Sequence, residues 1–135
     1  MDISPYVKQH QEALGLARQL QQKLQEAQPP VQEIARILVE LSGKLKFHLS
    51  MEDKFVYPKA ATSANADLQA TAKRMQTEML GIADAFAKYV GEWNSNSISR
   101  DLGRFTSETT GILAALKKRI ELEEDKFYPL VREHL

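Results

Sequence analysis

The chain contains no cysteine, which removes disulfides, thiolate metal sites and thiol nucleophiles and leaves His, Asp and Glu as the side chains able to hold a metal. It has no excess charge of either sign. The 18 Lys and Arg residues balance 18 Asp and Glu, so no net field draws it to nucleic acid or to an anionic membrane surface. No stretch approaches the roughly 20 apolar residues of a membrane span, and residues 1–10 lack an apolar run. The expected compartment is the cytoplasm, with neither nucleic acid nor membrane as a partner. Gly-rich phosphate loops, a nucleophile elbow and a basic aromatic surface are missing too. No catalytic residue is assigned, and alternating strand patterns are absent.

What remains is helical. Over 135 residues, enough for one domain (1–135) with one continuous core, apolar residues recur at spacings of three and four. Four segments of roughly 25 residues emerge. The first runs from Ser4, a candidate N-cap followed by Pro5, to Pro29-Pro30. The second runs from Pro30 to near Pro58. The third carries Leu68, Ala72, Met75, Met79, Ile82, Phe86 and Val90 on one stripe and stops at Asn94-Ser95-Asn96-Ser97. The fourth starts near Ser97 or Ser99 and runs toward Pro129. Short connections imply antiparallel neighbours, hence an all-α, up-down-up-down four-helix bundle built of two hairpins, about 4–60 and 66–133.

The second half resembles the first. His10-Gln-Glu-Ala-Leu-Gly15-Leu-Ala17 aligns with Gln76-Thr-Glu-Met-Leu80-Gly81-Ile-Ala83, and His48 to Pro58 aligns with Arg119 to Pro129. Gly15 and Gly81 cost helix propensity at equivalent places, which suggests close backbone approach between helices.

Polar residues interrupt the apolar stripes at one level. On the second helix Ile34, Leu38, Leu41 and Leu45 lead to His48, Glu52 and then Phe55; on the fourth Phe105, Thr109, Ile112 and Leu116 lead to Arg119, Glu123 and then Lys126 and Phe127. His10 and Gln76 take the corresponding places on the first and third. Burying such groups is costly unless they pair, hydrogen-bond or bind a metal. A single His-x3-Glu is most often an exposed helix pair; two aligned copies with His10 on a third helix point to a cation site suited to iron, zinc or manganese. Tyr57 and Tyr128 precede Pro58 and Pro129 and are expected to pack with their hydroxyls in water. His134, one residue from the C-terminus, is expected to be solvated.

The segment His48-Leu-Ser-Met-Glu52-Asp-Lys-Phe-Val-Tyr57-Pro58, with Glu123-Glu-Asp-Lys-Phe-Tyr-Pro129 as its counterpart, resembles the signature of hemerythrin-like, HHE cation-binding domains. The resemblance spans essentially the whole chain. It implies a non-haem iron protein in which histidines from four helices and two bridging carboxylates hold two irons, in oxygen or nitric oxide sensing, iron handling or redox response. His10, His48, Glu52 and Glu123 stand where ligands would be. Gln76 and Arg119 replace the third-helix and fourth-helix histidines. Arg119 has no lone pair to offer a metal, so it is expected to act as a cation substitute.

Two readings follow. In one, a single divalent ion, iron first and zinc or manganese next, is held by His10, His48, Glu52 and Glu123, with Arg119 bridging the carboxylates and a diatomic gas as the expected ligand. In the other, the chain is a metal-free helical interaction or signalling module in which Arg119 pairs with Glu52 and Glu123. Charge counting fits both, because Arg119 with a protonated histidine balances two carboxylates without metal. An enzyme ranks last: an open iron position could support oxidase or peroxidase-like chemistry, but no substrate or acid–base pair is identifiable. Neither a protein partner nor an oligomeric state follows from these residues.

Overall fold

A computed structural model describes residues 1–79 and 81–135. Leu80, aligned above with Leu14, lies outside the described residues. Among the described residues there are eight α-helices and no strand. Helix α1 (Ser4–Leu24) starts one residue earlier than expected: Ile3, not Ser4, is the N-cap, and Asp2 Oδ1 accepts the Ser4 N–H at 2.9 Å. Helix α2 (Val31–Met51) follows the extended Pro30.

Pro58 does not end the second rod. Five residues of π-helix, Glu52–Val56, continue α2 into α3 (Tyr57–Ala61), with Pro58 in its first turn. Proline lacks an N–H and its ring clashes with the carbonyl four residues back; the wider turn, in which the Tyr57 N–H bonds the Glu52 carbonyl, accommodates both defects. The fourth rod repeats the device. Helix α7 (Leu102–Leu122) passes through π-helix Glu123–Phe127 into α8 (Tyr128–His134), with the Tyr128 N–H on the Glu123 carbonyl. The register shift also corrects two expectations, since Phe55 is 51% exposed and Lys126 is exposed, while Val56, Tyr57, Phe127 and Tyr128 enter the core.

The third rod is broken. Helices α4 (Ala66–Glu78) and α5 (Ile82–Glu92) meet at Gly81, whose φ of 87° is left-handed. Asn65 caps α4 by accepting the Leu68 N–H at 2.9 Å. Asn94 and Ser97, the expected stop, form the capping box of a short helix α6 (Ser95–Arg100), and Asp101 caps α7 through the Arg104 N–H.

Neither glycine serves close approach, because a Cβ at Gly15 or Gly81 would meet no atom within 4 Å. Their substitutions should have opposite signs. Gly15→Ala, mid-helix, is expected to stabilise by about 0.5–1 kcal/mol, whereas Gly81→Ala forces an L residue to positive φ and should cost about 1–2 kcal/mol. Thermal denaturation of the two variants checks this.

The core falls into two apolar clusters. One, around Leu20, Leu38, Leu41, Phe105 and Leu116, fills the end formed by α5, α6 and the facing parts of α1, α2 and α7. The other, around Ile3, Val56, Met75, Phe127 and Val131, joins α3, α4 and α8. Between them lies a layer of buried polar side chains, His10, His48, Glu52, Arg119 and Glu123. No helix of the described residues is long and apolar enough to cross a membrane.

Candidate metal centre

Three rods supply the polar layer. His10 comes from the middle of α1, His48 from the last turn of α2, and Glu52 and Glu123 from the first residues of the two π-helices. One ligand atom from each of His10, His48, Glu52 and Glu123 lies within 4.8 Å of the others, and all four residues are buried. They are the four residues singled out from the sequence as candidate ligands.

The hydrogen bonds around them are unequal. His48 Nδ1 is 2.6 Å from Gln9 Oε1, so the ring N–H is donated there and Nε2 carries the lone pair. That lone pair faces Glu52 Oε1, with which it is in contact. Burial, reinforced by the neighbouring His10 charge, pulls the His48 pKa down to about 4, which keeps the ring neutral. Glu52 is fully buried, and neither of its oxygens accepts a hydrogen bond. A buried carboxylate facing an imidazole lone pair lacks the donors that burial normally demands. A cation between them would satisfy both.

Glu123 is better supplied. Its Oε2 accepts from the Tyr57 hydroxyl at 2.6 Å, and its Oε1 is 3.2 Å from His10 Nε2. Burial and the nearby Glu52 raise its pKa to about 7. For His10, burial opposes the charge, but the hydrogen bond to Glu123 and the charges of Glu123 and of Glu52, 3.8 Å away, prevail and raise it to about 9. The Tyr128 hydroxyl sits 3.2 Å from His10 Nε2, and its ring stacks on the imidazole at 5.3 Å between centroids.

Both tyrosines therefore correct the expectation of water-facing hydroxyls. In an α-helix residue i+5 lies about 140° around the axis from residue i; the wider turn returns it toward the same face. Tyr57 and Tyr128 thus come in over the carboxylate layer. Burial and the carboxylates push both phenols up, so they remain donors. The available sequence signal was Pro58 and Pro129 inside helical patterns, each six residues after the glutamate it follows.

Arg119 is 5% exposed but does not bridge the two carboxylates as expected. Its Nε is 3.7 Å from Glu123 Oε2, and its Nη2 turns outward to Asp53 Oδ1 at 3.2 Å. Glu52 faces the two histidines instead. Gln76 is exposed on α4. His134 is exposed, as expected of a terminal residue.

A family model described as the hemerythrin HHE cation binding domain matches residues 1–131, nearly the whole chain. Neither the curated proteins nor the solved structures give a match.

Proposed function

The chain belongs to the hemerythrin HHE cation-binding family, and on that premise we propose that it holds one divalent ion between His10, His48, Glu52 and Glu123 and responds to a diatomic gas or to redox state. The observation that carries this reading is Glu52: a buried carboxylate with no donor, facing an imidazole nitrogen whose tautomer is set by Gln9. Two imidazoles and two carboxylates suit ferrous iron, with zinc or manganese as the alternatives. Bound iron would supply one-electron chemistry and an affinity for oxygen or nitric oxide. The protein's own part is positional. Gln9 orients His48, the Tyr57 hydroxyl holds Glu123, and Tyr128 stacks on His10. Arg119 occupies the fourth-helix ligand position without a lone pair, which limits the site to one ion and argues against oxygen carriage. On this reading residues 1–135 act as one cytoplasmic domain.

Elemental analysis and anaerobic titration with ferrous, zinc and manganese ions, on protein purified without a His tag, should give one equivalent, lost in His48→Ala. Two equivalents would overturn the assignment of Arg119. Absence of specific binding would remove the metal and leave a helical interaction module.

Proton release gives a second signature. Coordination needs neutral His10 and ionised Glu123, whose metal-free pKa values are about 9 and about 7. Apparent affinity should therefore rise about tenfold per pH unit from 7 to 9, more steeply below 7, and level off above 9. Titrations in buffers of different ionisation enthalpy read the protons released; an affinity flat across this window would sink the four-ligand assignment.

A further inference from the structure

A cavity of about 290 Å³ opens where the third rod is interrupted. On one side is the N-terminal turn of α5, whose cap, Gly81, makes no side-chain hydrogen bond; helix starts present N–H groups and partial positive charge. On the other is the buried Arg119, whose Nε makes no hydrogen bond. Met75, Met79 and the Gln76 side chain form further wall. The Arg119 fork is only half used. Asp53 meets Nη2 through one oxygen, although the Nε and Nη2 edge can pair with both oxygens of a carboxylate.

We propose that this cavity binds a short-chain monocarboxylate, seated two-pronged on Arg119 in place of Asp53, with its alkyl end against Met75 and Met79. The two acidic residues on the wall do not oppose this. Asp53 is 53% exposed and Asp84 is exposed, so both can turn to water at little cost, whereas Arg119 is buried and cannot. The apolar end selects against larger or doubly charged anions. The inference rests on the single-ion reading in one respect only. One divalent ion, Arg119 and two carboxylates leave one positive charge over, and a ligand carboxylate would neutralise it within the protein, so metal loading should tighten binding.

The test is titration of zinc-loaded and of metal-free protein with propionate, followed by calorimetry and by the NMR resonance of the Arg119 Nε–H. Saturable one-to-one uptake that shifts this resonance is expected, tighter with zinc. Asp53→Asn should strengthen it about tenfold, and Gln76→Glu should weaken it at least about tenfold by placing a like charge on the wall, with zinc stoichiometry still one equivalent. Uptake that ignores both substitutions and leaves the Arg119 resonance unmoved would put propionate on the metal or the surface and overturn the proposal. Absence of saturable uptake would do the same. If no zinc binds, the single-ion reading fails by itself, and the metal-free titration with the same two variants decides the cavity separately.

Discussion

Glu52→Gln should make the metal-free protein more stable, by about 1–3 kcal/mol, while weakening divalent-ion binding by at least about a hundredfold. The two effects have one cause. Without a bound ion, Glu52 has no donor on either oxygen and is held in the layer between two apolar clusters. An amide of the same shape carries no charge, and its NH2 can donate to the His48 lone pair that the carboxylate can only oppose. The glutamine also lifts the repulsion that raises Glu123. What it cannot do is neutralise a bound cation. Denaturation of chelator-treated protein, alongside zinc titration, separates the two quantities. A metal-free Glu52→Gln protein less stable than wild type would mean that the carboxylate is already compensated, and the case for the ion would lose its main support.

That trade of stability for a site explains which features could be read from the residues. The all-α class follows from apolar spacing, which burial in two clusters preserves in most of the chain. His10, His48, Glu52 and Glu123 were legible because polar residues on an apolar stripe are costly, and because likeness between the two halves set them at one level. The exceptions share a physical origin in backbone geometry. A proline in a helical pattern reads as a stop, but here the chain widens into a π-helix ahead of Pro58 and Pro129 and continues. Residue spacing downstream then no longer reports the face. Phe55 therefore leaves the core, and Tyr57 and Tyr128 arrive at the buried Glu123 and His10. Likewise a glycine within a helical stripe does not distinguish Gly15, which continues its helix, from Gly81, which takes positive φ and breaks it. Gln76 is exposed whereas His10, with which it aligns, is buried.

Arg119→Met, which keeps much of the side chain's bulk and removes its charge, should destabilise the metal-free protein by about 3–5 kcal/mol, because it strips Glu123 of a buried partner. For a domain of this size each kcal/mol corresponds to about 2–4 °C in Tm, so the change is readable in a single melt. With a divalent ion present most of the loss should disappear. The ion neutralises Glu123 directly, and removing a nearby positive charge tightens its binding. Stoichiometry should remain one equivalent, since methionine adds no hard ligand and Gln76 is exposed on α4. The sign of the metal's effect is the decisive quantity. In a salt-bridge module without metal, Arg119→Met would be equally unstable with and without added ion, whereas a cation site predicts rescue that grows with ion concentration. Rescue in Arg119→Met together with its loss in the Glu52→Gln background would assign the two residues opposite parts in one charge balance: Glu52 needs the ion, and Arg119 stands in for it when it is absent.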